Sequence, residues 1–122
     1  MQILIYKKME INRKYVKPRS FFLIKLFAIL RGHENAEYIK WSEDGKFFII
    51  YRKNLNAFEN NILSKYFNHR NYNSFHRQLN LYNFRIIQNK NKDEIHFMNE
   101  KFSFWKTYEE IKEIKPIKKN KK

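Results

Sequence analysis

Cysteine is absent from the 122 residues, so disulfides, thiolate zinc sites and cysteine nucleophiles are excluded, and cysteine usage does not fix the redox compartment. Glycine and proline occur twice each, which excludes collagen-like repeats, glycine-rich nucleotide loops and proline-rich linkers. Acidic residues are scarce: Asp and Glu total 12 against 26 Lys and Arg, leaving a formal net charge of +14. No apolar run approaches the roughly 20 residues a membrane-spanning helix needs. The apolar opening Met1–Tyr6 is ended by Lys7 and Lys8, too early for a secretory core. There is no internal repeat, no nucleophile–base pair and no phosphate loop, so neither an enzyme nor a cofactor is expected.

What is present is aromatic and basic. The chain is 43% hydrophobic and 18% aromatic, with 12 Phe and 8 Tyr, too much apolar material for a disordered segment. Its length fits one domain. The cationic surplus calls for a polyanionic partner, nucleic acid before acidic membrane.

Residues 1–18 read as a basic arm closed by Pro18, residues 19–104 as the folded domain, and residues 105–122 as a short helix and a Lys-rich tail. A helix is expected from Ser20, with Phe22, Leu23, Leu26, Phe27 and Leu30 at helical spacing and Gly32 as its stop. A hairpin follows, Tyr38–Ser42 with Phe47–Tyr51, turning at Asp44-Gly45. Asn56 and Glu59 have capping-box spacing for a second helix that turns Phe58, Ile62, Leu63, Tyr66 and Phe67 inward. A third helix runs from about Asn71 to Tyr82. Phe84–Ile87 and Ile95–Met98 read as paired strands, and Phe102–Ile114 as a last helix before the closing lysines. Helix, two strands, helix, helix, two strands is an α+β order. It predicts a winged helix-turn-helix, a three-helix core beside a small antiparallel sheet.

The third helix carries the chemistry. At about 100° per residue, Tyr72, Phe75, Leu79 and Tyr82 share a buried stripe. Arg77 lies almost opposite its centre, flanked by Asn73 and Asn80 on one side and by Ser74 and Leu81 on the other. A guanidinium can grip guanine O6 and N7 with both arms of its fork, an asparagine can do the same with adenine, and hydroxyls and amides hold phosphate oxygens. Spacing alone leaves two readings open, a base-reading arginine or a solvated one on an amphipathic helix. The charge favours the first.

The stretch 63–85, Leu63-Ser64-Lys65-Tyr66-Phe67-Asn68-His69-Arg70-Asn71-Tyr72-Asn73-Ser74-Phe75-His76-Arg77-Gln78-Leu79-Asn80-Leu81-Tyr82-Asn83-Phe84-Arg85, closely resembles the signature of heat-shock transcription factor DNA-binding domains. Phe22-Leu23-Ile24-Lys25-Leu26 resembles the family's first helix, Trp41–Phe48 its first hairpin and Phe97–Phe102 its closing segment. The resemblance covers about Ser20 to Phe102. It implies a winged helix-turn-helix whose third helix enters the major groove at repeats of an nGAAn unit, in a nuclear transcription regulator. Arg77 then matches the guanine-reading arginine; Lys65, Ser74, Asn80 and Tyr82 match positions close to the DNA backbone; Phe75 and Leu79 match core positions. Gln78 and Arg85 match polar positions ranked lower as contacts, and Asn73 joins them from the exposed face.

Several residues depart from the family pattern. Ser64 stands where the family has a proline that goes with a distortion of the second helix, so that distortion is not implied here. Asn83 replaces a glycine just past the third helix, a mild exchange because Asn tolerates positive φ next best. His76 replaces a valine at the core's rim, and Arg70 replaces an asparagine and adds a phosphate contact. Residues 52–55 read as a short insertion, and the wing loop Gln88–Glu94 is short. In the family the wing meets a neighbouring domain rather than DNA. Trp105, Tyr108, Ile111 and Ile114 give at best two turns of apolar spacing, so no trimerising coiled coil is visible. That leaves a fragment, or a minimal protein that binds as a monomer or with a partner; self-association on repeated sites is a further expectation.

His69 and His76 read as turn and rim residues rather than metal ligands, and Trp41 as core. The Lys-rich tail is compatible with a solvated end, a nuclear import signal or a phosphate-tracking extension. The expected partner is double-stranded DNA, not a membrane. The competing reading is a basic RNA-binding or nonspecific nucleic-acid-binding protein, which needs only charge and exposed aromatics.

Overall fold

A computed structural model describes residues 21–117. The expected basic arm of residues 1–18, the helix start at Ser20 and the lysines from Lys118 onward lie outside the described residues. Helix α1 is Phe21–Arg31. Strands β1 (Ile39–Trp41) and β2 (Phe48–Tyr51) follow. A helical stretch over 55–66, here α2, leads into α3 (Tyr72–Leu81). Strands β3 (Arg85–Ile87) and β4 (Glu94–Met98) and the short helix α4 (Tyr108–Lys112) complete the order. The sheet is antiparallel throughout, in the order β1-β2-β4-β3.

The core lies where the helices meet one face of this sheet. α1 is apolar on more than one side and buries Leu23, Ile24, Leu26, Phe27, Ala28, Ile29 and Leu30. A helix apolar beyond one stripe belongs in the middle of a domain. Phe58, Ile62 and Leu63 from α2, and Phe75 and Leu79 from α3, join it, while Tyr66 and Phe67 are half-buried at its edge. Phe48, Ile50, Ile95 and Phe97 supply the sheet's side. Trp41 packs against Phe102, with ring centroids 5.4 Å apart.

The β1–β2 hairpin turns where Asp-Gly predicts. Asp44 Oδ1 accepts from the Ser42 hydroxyl at 2.7 Å and from the Lys46 amide at 3.1 Å. These bonds, the Ser42 hydroxyl first, hold the Asp44 carboxyl below its ordinary range. Gly45 has φ of +75°, and a Cβ there would meet the Phe104 Cβ at 2.8 Å. The turn needs glycine both for its φ and for this close approach.

α2 differs from the expected start. A 3₁₀ turn over Arg52–Asn54 feeds directly into it, so Asn56 lies inside the helix and caps nothing. This turn occupies most of the stretch 52–55 that reads as an insertion. It is latched to the wing: Arg52 donates from its amide to Asp93 O and from Nε to Lys92 O, and the Lys53 amide donates to Asp93 Oδ1. The wing loop is held by its own asparagines, with the Asn91 amide bonded to Asn89 Oδ1 and the Asp93 amide to Asn91 Oδ1.

The distortion of α2 is present without proline. Glu59–Leu63 is a π turn in which the Ser64 amide reaches Glu59 O, five residues back. That leaves Asn60 O without its usual amide donor, and the Ser64 hydroxyl donates to it instead. Serine thus supplies a bond that a proline at this point lacks. Ser64→Ala is expected to cost about 1 kcal/mol of stability, as for one ordinary hydrogen bond. Urea unfolding checks it; an unchanged midpoint would show that the hydroxyl contributes nothing to the turn.

The last helix is shorter than the expected Phe102–Ile114. It begins after Thr107, whose hydroxyl accepts from the Glu110 amide at 3.1 Å while Glu110 Oε1 accepts from the Thr107 amide at 2.9 Å. This is a complete capping box, and the Thr107 amide is the main reason the Glu110 carboxyl lies below its ordinary range. Tyr108 meets Phe27 edge-on at 5.1 Å, and Ile111 and Ile114 are buried. Tyr108, Ile111 and Ile114 therefore serve this core, which reaches Ile114, while Trp105 is exposed.

Candidate nucleic-acid interface

The candidate interface centres on α3. Asn71 caps it, with Oδ1 accepting from the Ser74 amide at 3.0 Å. The Asn71 amide donates to His69 Nδ1 at 3.1 Å, which gives this histidine a place in the turn. The Tyr72 amide donates to Glu59 Oε2 at 2.8 Å, a bond from α2 that spans 13 residues. At the other end the chain leaves through two bonds, the Asn83 amide to Asn80 O and the Phe84 amide to Leu79 O, both 3.0 Å. This is a Schellman closure with the residue past the cap in the left-handed region. That residue is Asn83, at φ 68°, as its place after the helix predicts. Phe84 thereby belongs to the helix stop rather than to β3.

The remaining carbonyls at this end are met from a distance. Tyr82 O accepts from buried Asn99 Nδ2, and Leu81 O accepts from the Ile117 amide, each at 2.8 Å. A helix end leaves its last carbonyls without intrahelical donors; here long-range donors from after β4 and after α4 supply them.

The faces of α3 sort as the wheel predicts except at Leu81, which is half-buried against the core rather than on the exposed side. Phe75 and Leu79 are fully buried, and Phe75 packs against Phe58 at 5.4 Å and Phe22 at 5.5 Å. Asn73, Ser74, Arg77, Gln78 and Asn80 are exposed. Tyr82 is 5% exposed and stacks on Phe22 at 6.0 Å, so it supports the helix from inside. Tyr72 is half-buried, and burial pushes its hydroxyl up to about 12, against a smaller opposing pull from Arg52. His76 sits half-buried at the rim with its ring edge-on to Phe97 at 5.3 Å.

The flanking cations lie on the elements just before and after α3. Lys65, in the last turn of α2, is exposed with its ammonium 5.3 Å over the Tyr66 ring. Arg70, in the turn between α2 and α3, is exposed. Arg85, on β3, is exposed and lies 3.6 Å from Glu100. The Glu100 carboxyl is held below its ordinary range, first by its own backbone amide and then by this guanidinium. Arg85 is thus the one candidate whose head group is already shared with a protein carboxylate among the described residues.

Two long-range connections were not foreseen. Glu59 read as a local capping partner, and its spacing to Asn56 gave no hint that its carboxylate serves α3. The Arg52 latch to the wing joins residues 40 apart in sequence, and only proximity in the fold could reveal it.

Two consecutive helices joined by a tight turn, the second presenting a polar and cationic face, backed by an antiparallel sheet with a wing, define a winged helix-turn-helix. The HSF-type DNA-binding family model matches residues 22–117. The chain belongs to that family of DNA-binding domains. It is 40% identical over 103 residues to the heat shock transcription factor of Saccharomyces cerevisiae, an alignment covering 76% of this chain and 12% of that protein. Among solved structures it is similar to Skn7 of Chaetomium thermophilum with SSRE DNA, with a TM-score of 0.72, 28% identity, and 79% and 98% of the two chains covered. A heat shock transcription factor/DNA complex matches with a TM-score of 0.55 and 36% identity, over 65% of this chain and 93% of that one. The chain spans only 12%, 9% and 17% of the first three curated relatives it matches.

Proposed function

We propose that this chain binds double-stranded DNA sequence-specifically as part of a nuclear transcription regulator, with α3 in the major groove of GAA-type repeats. The observation that carries this reading is the exposed face of α3. Arg77 stands among Asn73, Ser74, Gln78 and Asn80, opposite the fully buried Phe75 and Leu79, in a domain whose relatives have been solved with DNA. Arg77 reads the guanine. Lys65, Arg70, Asn73, Ser74, Gln78, Asn80 and Arg85 hold or approach the backbone, and Tyr82 supports the helix from the core. The net charge of +14 supplies a sequence-independent attraction. Copies of the chain then lie side by side on repeated units.

Lys65→Ala is expected to weaken binding to every duplex alike and to lower the salt slope by about one unit. Titrations at several salt concentrations, on specific and scrambled duplexes, check this. A loss confined to one sequence would contradict a backbone role. Competition between duplex DNA and a structured RNA tests the partner class: duplex DNA is expected to win, and preference for the RNA would transfer the function to RNA binding.

A further inference from the structure

The buried stripe of α3 does not by itself fix how the helix is aimed. Apolar contacts such as those of Phe75 and Leu79 are non-directional, so they resist separation better than they resist sliding or rotation. Bidentate recognition of a base edge by Arg77 needs the opposite, a helix whose axis and phase are set. Directional bonds at the two ends of α3 provide that setting. At the C-terminal end they come from Asn99 and Ile117. At the N-terminal end the first amide, that of Tyr72, is bonded to Glu59 Oε2 at 2.8 Å.

Glu59 occupies an unusual place. Its carbonyl accepts the π-turn bond from the Ser64 amide, while its carboxylate accepts from Tyr72. One residue thus joins the distortion of α2 to the start of α3. The carboxylate is half-buried and, among the described residues, forms no ion pair, although the chain carries 26 Lys and Arg. A carboxylate in a chain this basic is directed at one backbone amide, at the positive end of the helix that faces DNA. It also withholds that amide from a DNA phosphate.

We infer that Glu59 is a positioning residue for base readout: by holding the first amide of α3 it fixes the presentation of Arg77, and it touches no DNA itself. This rests on the proposed reading of GAA repeats by α3. The test compares the full chain with Glu59→Gln and Glu59→Ala. Both remove the charge; only Gln keeps an acceptor in reach of Tyr72. Each is titrated against an alternating GAA duplex and a scrambled duplex, at a temperature where circular dichroism shows it folded.

The preference of Glu59→Gln for GAA is expected to stay within about twofold of wild type, while Glu59→Ala loses about tenfold, the size of one charge-assisted bond. Equal, wild-type preference in both variants would overturn the inference with the DNA reading intact. So would equal losses in both, since charge alone would then be responsible. Absence of preference in the wild type would instead sink the DNA reading, and the inference with it. If Glu59→Ala does not fold, Glu59→Gln decides by exchange of the Tyr72 amide: retained protection with retained preference supports the role, and protection lost with preference kept overturns it.

Discussion

Arg77→Ala is expected to remove about 1–3 kcal/mol of discrimination at a single guanine while leaving the fold intact. Arg77 is exposed, and no other described group is bonded to it, so its removal leaves no buried partner unsatisfied. Core residues hold α3 independently, through Phe75 and Leu79. The measurement is a set of titrations in which that guanine is replaced in turn by each other base. The wild type is expected to distinguish them, and the variant to bind all four nearly alike with its circular dichroism unchanged. Equal loss on specific and scrambled duplexes would reduce Arg77 to a phosphate contact.

The larger effect on stability is expected at Phe75. Its ring is fully buried and meets Phe22, Phe58 and Phe67 at 5.4–6.0 Å, rings that come from α1, from α2 and from the turn before α3. Phe75→Ala removes the side chain on which these elements converge and leaves a cavity that they cannot all close. A loss of about 3–5 kcal/mol is expected, a large part of the stability of a domain this size. Urea unfolding followed by tryptophan fluorescence checks it. A loss below about 1 kcal/mol would mean that the three-helix junction is loosely packed, contrary to the ring contacts. The two variants separate the faces of one helix, since Arg77→Ala alters readout without stability and Phe75→Ala alters stability first.

Where local chemistry decides, the sequence was a good guide. The 3-4-3 spacing of Tyr72, Phe75, Leu79 and Tyr82 places the buried stripe of α3 and therefore Arg77 opposite it, because both follow from helical geometry. Asp44-Gly45 marks the first hairpin because only a residue free to take positive φ closes that turn. Capping patterns show the limit. Asn56…Glu59 and Thr107…Glu110 have the same spacing, yet only the second is a capping box. The first fails because a 3₁₀ turn has already begun the helix at residue 52 and because Tyr72 competes for the Glu59 carboxylate. Tertiary bonds of this kind leave no trace in local pattern. The π turn in α2 was equally hidden, because no proline marks it and the Ser64 hydroxyl does the bonding. Of the candidate contacts, Tyr82 shows the same tension: its spacing places it in the core and its resemblance near DNA, and in the fold it is buried against Phe22.

The most direct test is a fluorescence-anisotropy titration at physiological salt with duplexes carrying one, two or three alternating GAA units and a scrambled duplex. Binding is expected to be tighter on GAA than on the scrambled sequence, and to strengthen with each added unit as copies of the chain lie side by side. Equal and steeply salt-dependent binding to every duplex would contradict it, leaving a basic domain that holds DNA through phosphates alone and no base-reading role for Arg77.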